Sequence, residues 1–232
     1  VVIGSLVAIV VVKQFFGGIG QNFVNPALAG RIVLLTSFPV AMSTWTQPLT
    51  WTMSKLDGIT SASPLSSIHE MTSGGAAPDV SLVEMLIGWR AGCLGETCAV
   101  ALLLGGIYLV IRKVISPTIP LTYIGTVAVI MLIAGKGDFR FVAYELLGGG
   151  LMLGAIFMAT DYTTSPITFK GKIIFGIGCG LITSIIRIFG NLPEGVSYSI
   201  IIMNILVPLI ENVTLPKPFG TPKKEKKEAE AK

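Results

Sequence analysis

Charged side chains are scarce in this sequence: they make up 13% of the 232 residues, whereas hydrophobic residues make up 52%. A soluble domain carries about 25% charged residues, because it must cover its surface with polar groups. Long runs of this sequence carry no charge at all, at 32–54, 114–135 and 195–210. The composition therefore excludes a water-soluble globule and predicts a polytopic membrane protein whose surface is covered mostly by membrane lipid.

Cysteine and histidine are also rare. The three cysteines, Cys93, Cys98 and Cys179, have no CxxC spacing and lie in apolar, glycine-rich stretches, so they indicate small buried side chains and neither disulfides, zinc nor iron–sulfur clusters. The single histidine, His69, has no second ligand nearby, and no metal site is predicted. The net charge of +4 comes from basic residues between apolar segments and in the tail, where membrane topology explains them better than nucleic-acid binding does.

Apolar segments predict about seven transmembrane spans within residues 1–213. They lie roughly at 1–12, 27–42, 82–111, 114–135, 142–160, 173–186 and 196–213. The first segment would form a helix of about 18 Å, against a hydrocarbon core of about 30 Å. We therefore expect N-terminal helices to be missing from this chain, and the segment lacks the pattern of a signal peptide.

Basic residues predict the orientation of these spans. If the spans alternate and residues 214–232 form a cytoplasmic basic tail, 12 of the 17 basic residues fall inside, Arg31 and the Arg112–Lys113 pair among them. The other five fall outside: Lys55, Arg90, Lys136, Arg140 and Arg187. The tail has no apolar periodicity and is typical of a disordered, solvated extension, with binding to anionic lipid as the alternative.

Residues 43–80 form the longest polar stretch, rich in Ser, Thr, Gly and Pro, and fall on the predicted outer side. Connections between packed helices usually have 2–8 residues, so a loop of this length predicts a functional role. Trp45 and Trp51 at its start fit an interfacial aromatic belt.

Two glycine-containing stretches resemble each other at an offset of 173 residues, Phe16–Phe23 and Phe189–Val196, and each follows an apolar segment that ends in a basic residue. The predicted orientation places them on opposite sides of the membrane. This arrangement is typical of inverted-topology repeats with broken helices, although chance similarity among glycine-rich membrane sequences is the alternative.

The sharpest local motif is DGITSASPL at Asp57–Leu65. Asp-Gly opens a turn, small residues keep the backbone accessible, and Ser63 presents a hydroxyl ahead of a proline that favours an extended chain. Such a hydroxyl suits modification by another enzyme. No general base lies close in sequence, so no catalytic residue is predicted, and the residues alone fit an ordinary Ser/Thr loop equally well.

This motif resembles the sequence at which a flavin transferase attaches FMN through a phosphoester to the last hydroxyl. The acceptor here would be Ser63, within a recognition sequence formed by Asp57, Gly58, Thr60, Ser61 and Ala62. Relatives usually have Thr at the acceptor position. Four more segments resemble, in order, the RnfD/NqrB family of membrane proteins from ion-translocating electron-transport complexes: Lys13–Arg31, Leu94–Thr97, Ala159–Tyr162 and Pro193–Tyr198.

The resemblance implies an all-α fold of ten transmembrane helices, a 5 + 5 inverted repeat similar to urea transporters, of which this chain would lack the first three. It implies covalent FMN on Ser63 and a noncovalent riboflavin at Asn22 and Asn25. From the residues alone, capping of the helix that begins at Pro26 is an equally good explanation of the two asparagines.

The implied function is that of a flavin-carrying component of the Rnf complex, a bacterial inner-membrane ferredoxin:NAD+ oxidoreductase coupled to Na+ or H+ translocation. The implied partners are the A, B, C, E and G components of the Rnf complex, and the flavin transferase during maturation. One alternative is the NqrB component of the Na+-translocating NADH:quinone reductase, and another is a flavin-free channel of the urea-transporter type.

Four carboxylates lie near predicted span ends: Glu96, Glu145, Asp161 and Glu211. Ionisable residues at membrane depth are candidates for ion passage or flavin contact. Helix capping or ion pairing explains these positions at least as well.

Overall fold

The computed structural model describes residues 1–46, 60–62, 68, 80–93, 95–190 and 194–216, which are mostly helical. The helices in chain order are α1 (Val2–Leu6, continued by wider π-helical turns over Val7–Gln14), α2 (Pro26–Ser37), α3 (Pro39–Ser43), α4 (Leu82–Ile87), α5 (Ala99–Ile111), α6 (Thr118–Ala134), α7 (Phe139–Leu147), α8 (Leu151–Leu153, continued over Gly154–Met158), α9 (Phe169–Phe189) and α10 (Val196–Thr214). Two short strands, β1 (Thr44–Thr46) and β2 (Thr60–Ala62), pair antiparallel.

Within the described residues, α9 and α10 are long and apolar enough to cross a membrane, with 21 and 19 residues. The pair α7 and α8 would form a third span if counted together, with a bend of 64° between them. Four other helices are apolar but have only 10–17 residues: Val2–Gln14, α2, α5 and α6. The apolar helices agree with a polytopic membrane protein.

Several predicted segments are interrupted. The segment 82–111 is not one helix, because α4 ends at Gly88 with a left-handed φ of 99° and α5 begins only at Ala99. The segment 142–160 breaks where Gly149 and Gly150 adopt φ values of 61° and 66°. Glycine adopts this backbone region without the steric cost of a Cβ, so the chain can turn sharply there. The two stretches at an offset of 173 also fall between helices, before α2 and before α10, although residues 191–193 lie outside the described residues.

Close packing of α6 on α9 forms the centre of the core. A Cβ at Gly176 would overlap Thr122 Oγ1, and one at Gly180 would lie 2.6 Å from Thr126 Cβ. Small residues let two helix backbones approach closely, which is a main source of helix association in lipid.

Three buried hydroxyls tie α6, α9 and α10 together. The Tyr123 hydroxyl lies 2.6 Å from Thr183 Oγ1 and 2.9 Å from Ser199 Oγ, and the latter two oxygens are 2.8 Å apart. Each hydroxyl can donate one hydrogen bond and accept others, so the three satisfy one another in an apolar surrounding. Cys179 is also buried in this core, as predicted, whereas Cys93 and Cys98 are only half-buried.

Candidate functional site

The Asn22–Asn25 segment connects the first helix to α2. The preceding turn contains three glycines with positive φ: Gly17, Gly18 and Gly20. Asn25 caps α2, since its Oδ1 accepts hydrogen bonds from the amides of Ala27 at 3.0 Å and Leu28 at 3.3 Å. Pro26 occupies the first helical position, where the lack of an N–H costs nothing. The structure therefore contains the helix cap that the sequence indicates.

The two asparagines also hold this segment against the end of α8 and the residues that follow it. Asn22 Nδ2 donates to Thr163 Oγ1 at 3.0 Å, and Asn25 Nδ2 donates to the carbonyl of Met158 at 3.3 Å. Asn204 of α10 completes the contact when its amide is oriented to satisfy its neighbours: its Oδ1 accepts from the Asn25 backbone N–H at 3.1 Å. Three elements distant in sequence therefore meet at these amides.

The hydrogen-bonding capacity of the two asparagines differs. Both polar atoms of the Asn25 side chain have protein partners, because Oδ1 accepts twice and Nδ2 reaches Met158. Asn22 donates through Nδ2 to Val24 and Thr163, but its Oδ1 accepts no hydrogen bond among the described residues. Asn22 therefore keeps an acceptor for an N–H group of a bound molecule, whereas Asn25 holds the segment in place.

Part of the loop motif is held by the β-hairpin. Thr60, Ser61 and Ala62 form β2, whose backbone pairs with β1 in the register Thr60↔Thr46, Ser61↔Trp45 and Ala62↔Thr44. Asp57, Gly58 and Ser63 lie outside the described residues, as do most of loop 43–80 and the tail from residue 217. The residue before Ser63 is thereby paired with Thr44, directly after the end of α3.

A buried charge cluster, which the sequence analysis did not predict, lies between the helix breaks. Arg31 of α2 places its Nη2 atom 2.6 Å from Glu194 Oε2 and 3.6 Å from Glu96 Oε2. Burial raises the pKa of the Glu194 carboxyl above its ordinary value, and the Arg31 charge opposes this shift. Glu96 is 6% exposed, and its Oε2 accepts no hydrogen bond within the described part of the chain. A Cβ at Gly150 would lie 3.0 Å from this oxygen, so the glycine leaves room for the carboxylate.

Two further arginines bind the broken end of α7. Arg187 forms an ion pair with Glu145 at 2.8 Å and donates to the carbonyls of Glu145 and Gly148. Arg90 donates from Nη2 to the Leu147 carbonyl at 2.9 Å. The last carbonyls of a helix have no partner within the helix and carry partial negative charge. The two guanidinium groups therefore satisfy and neutralise a helix end that lies inside the protein.

Glu96 links the two groups of charges, since its backbone carbonyl accepts from Arg90 Nη2 at 3.2 Å while its side chain faces Arg31. Ion pairing thus accounts for Glu96 and Glu145, as the sequence analysis allowed. Asp161 accepts from the hydroxyls of Thr163 and Thr164, and Glu211 accepts from the backbone N–H of Ile167 at 3.2 Å.

These contacts correct the count of basic residues. The sequence predicts Arg31 on the inner side and Arg187 and Arg90 on the outer side, but Arg187 and Arg90 are buried among helix breaks, and Arg31 is half-buried there. Arg31 and Glu194, predicted on opposite sides, are in direct contact. None of these three arginines indicates orientation.

Comparison with known proteins covers nearly the whole chain. A family model described as "NQR2, RnfD, RnfE family" matches residues 1–220. The chain is 48% identical over 231 residues to the D component of the Na(+)-translocating ferredoxin:NAD(+) oxidoreductase complex of Acetobacterium woodii, covering 99% of this chain and 69% of that protein. It is 43% identical over 232 residues to the D component of the proton-translocating ferredoxin:NAD(+) oxidoreductase complex of Clostridium ljungdahlii, with coverage of 95% and 68%. Identity to the D component of the ion-translocating oxidoreductase complex of Stutzerimonas stutzeri is 38% over 243 residues, with coverage of 94% and 69%.

Proposed function

The chain belongs to the NQR2, RnfD, RnfE family, and on that premise we propose that it is the flavin-carrying membrane subunit of an Rnf-type ferredoxin:NAD+ oxidoreductase. The complex would couple electron transfer to the translocation of Na+ or H+. The observation that carries this proposal is the match over nearly the whole chain to components of complexes with these names, together with the motif from Asp57 to Ser63. The second candidate is the NqrB component of a Na+-translocating NADH:quinone reductase, since the family name also includes NQR2.

Covalent FMN on Ser63 would make the loop the first electron-carrying site. A flavin supplies redox chemistry that no side chain of this protein provides, while the protein binds and orients it. The pairing of Ala62 with Thr44 supports this proposal, because it fixes the backbone next to the acceptor hydroxyl relative to the end of α3. Serine offers the same hydroxyl as the threonine of relatives and lacks only a methyl group.

A second, noncovalent riboflavin would lie at Asn22. The acceptor left on Asn22 Oδ1 fits an N–H group of an isoalloxazine ring, and the amides of Asn25 and Asn204 hold the segment that presents it. Asn25 is then a positioning residue. The two flavins would lie toward opposite sides of the membrane and form an electron route across it.

The charge cluster would hold the helix breaks of this fold together. Arg31, Glu96 and Glu194 connect α2 to the segments that precede α5 and α10, and Arg90 and Arg187 hold the break between α7 and α8. Buried ion pairs of this kind fix one arrangement of the chain, because separating them leaves uncompensated charges in an apolar medium.

We further propose that the breaks before α2 and α10 are corresponding parts of an inverted repeat of the urea-transporter type. Each break contains one of the two stretches at the offset of 173 and precedes an apolar helix. In such folds the broken helices line a site near the middle of the membrane. The Arg31–Glu194 contact would then join the two repeats.

Replacement of Ser63 tests the flavin assignment. The Ser63→Ala variant, expressed with its flavin transferase and purified in the complex, should lose in-gel flavin fluorescence while the protein still assembles. The matched control Ser66→Ala removes a hydroxyl three residues away and should keep the fluorescence, and Ser63→Thr should also keep it. Fluorescence retained by Ser63→Ala would contradict the attachment site.

A further inference from the structure

An apolar cavity of about 280 Å³ opens between α5 and α6. We call it the α5–α6 cavity. Its lining residues come from both helices, from the turn between them and from α8, and they include Gly106, Ile107, Ile111, Pro117, Leu121 and Ile156. Ile107, Ile111 and Leu121 are more than half exposed, so the cavity opens to the outside of the protein.

The lining of the cavity limits what can occupy it, because all of its lining residues are apolar. A flexible hydrocarbon chain can enter an apolar space of this kind, which offers no partner to a polar group.

Basic residues flank the cavity at one end. Arg112 and Lys113 form the turn between α5 and α6, directly between lining residues Ile111 and Ile115. They are the only charged residues between Glu96 and Lys136, and both side chains are exposed. Neither has an ion-pair partner in the part of the chain that the structure describes. The turn thus carries two positive charges with no neutralising carboxylate among these residues.

An exposed tyrosine contacts the turn between α5 and α6. Tyr162, which is 72% exposed, donates a hydrogen bond from its hydroxyl to the carbonyl of Val114 in this turn. Exposed tyrosines concentrate where the hydrocarbon core meets the lipid headgroups. This observation, independent of the charges, agrees with a turn at headgroup depth and a cavity that faces the hydrocarbon.

We propose that the α5–α6 cavity binds one acyl chain of an anionic phospholipid, whose phosphate is held by Arg112 and Lys113. Basic pockets between transmembrane helices bind anionic headgroups by charge attraction, and an apolar cavity beside them adds burial of the chain. None of the residues that line this cavity is among the proposed flavin-binding residues. It would fasten the α5–α6 hairpin to the surrounding membrane.

Photo-crosslinking in nanodiscs tests the proposal. The assembled complex is reconstituted with phosphatidylglycerol or phosphatidylcholine that carries a diazirine in the acyl chain, and labelled peptides are identified by mass spectrometry. We expect labelling within residues 99–124, with phosphatidylglycerol preferred. Because one basic residue near an anionic headgroup changes occupancy about fivefold, Arg112→Gln should lower the ratio of phosphatidylglycerol to phosphatidylcholine labelling by about that factor.

Two further variants distinguish the contribution of the two charges to lipid labelling from that of the cavity. The double variant Arg112→Gln, Lys113→Gln should label equally with both lipids, whereas Ile107→Trp should fill the cavity and reduce labelling by both. Arg140→Gln is the matched control, because it removes an exposed positive charge near the other end of α6 and should leave the ratio unchanged. Equal labelling by both lipids in the unmodified complex would overturn the proposal. So would crosslinks from residues 99–124 to a neighbouring protein of the complex in place of lipid.

Discussion

Asn22 and Asn25 are three residues apart, yet their side chains have different partners. Asn25 caps α2 and reaches the Met158 carbonyl, so its polar atoms are used within the protein. Asn22 contacts Thr163 through its amide nitrogen and keeps its oxygen available. The proposed riboflavin would therefore depend on these residues in different ways.

Alanine at each asparagine should separate the two roles. Asn25→Ala removes a helix cap and should lower the free energy of unfolding by about 1 kcal/mol, seen as a lower thermal midpoint of the complex. Asn22→Ala should reduce the riboflavin that acid extraction releases, with a smaller change in midpoint. Equal riboflavin content in Asn22→Ala and the unmodified complex would contradict the proposed contact.

Arg31 is the cation that faces the buried carboxylate of Glu96 and the half-buried carboxylate of Glu194. Arg31→Gln should reduce the amount of assembled protein, because it leaves the buried Glu96 carboxylate and the half-buried Glu194 carboxylate without the Arg31 charge. Adding Glu194→Gln should restore part of the yield, since the unpaired charge is then removed. The exposed Arg140→Gln serves as control, with an expected change within about 0.5 kcal/mol. If the single and double variants were equally unstable, the ion pair would not explain the loss.

Among the helices, α6 and α9 approach each other closely where glycines of α9 face threonines of α6. Gly176 and Gly180 are one helical turn apart on the face of α9 that meets Thr122 and Thr126. By contrast, Gly125 of α6 has open space around it. The two kinds of glycine therefore predict opposite responses to the same substitution.

Gly176→Ala should lower the thermal midpoint of the complex, because its Cβ would overlap Thr122 Oγ1. Thr122→Ala in the same chain should recover part of the loss by removing that oxygen. Gly125→Ala is the matched control and should be neutral or stabilising, since alanine favours a helix by about 1 kcal/mol over glycine. A Gly176→Ala protein as stable as the Gly125→Ala protein would contradict the packing described.

Local features of the fold could be predicted from the sequence, whereas contacts between residues distant in sequence could not. The cap at Asn25 could be predicted because Pro26 follows directly, and every predicted apolar segment overlaps an observed helix, although α9 extends beyond its segment at both ends. The break at 148–150 lies within an apolar run, and the break at 88–98 contains Arg90 and Glu96, although the predicted segment 82–111 includes both in one span. Arg31 and Glu194 are 163 residues apart, and no local pattern indicates that they meet.

For the whole molecule, the orientation in the membrane now depends on fewer charges. With Arg31, Arg90 and Arg187 excluded, the basic residues of the helical part still lie mostly on the predicted inner side. They are Lys13, Arg112, Lys113, Lys170 and Lys172. The predicted outer side keeps Lys55, Lys136 and Arg140. Lys113 precedes α6 and Arg140 follows it, and both side chains are exposed. The two residues therefore lie near opposite ends of one helix.

Cysteine labelling tests this orientation. In intact protoplasts or spheroplasts, a membrane-impermeant maleimide should label Arg140→Cys directly, and Lys113→Cys only after the membrane that holds the protein is permeabilised. The unmodified chain, which has three cysteines of its own, gives the background labelling of each peptide. Direct labelling of Lys113→Cys with protection of Arg140→Cys would reverse the orientation.

The proposed electron-transfer function depends above all on a flavin esterified to the loop that contains Ser63. Mass spectrometry of the peptide around Ser63, isolated from the natively produced complex, measures this most directly. We predict FMN bound through its phosphate to the Ser63 oxygen, at high occupancy. An unmodified peptide from active membranes would contradict this and would favour a flavin-free transporter built on the same helices.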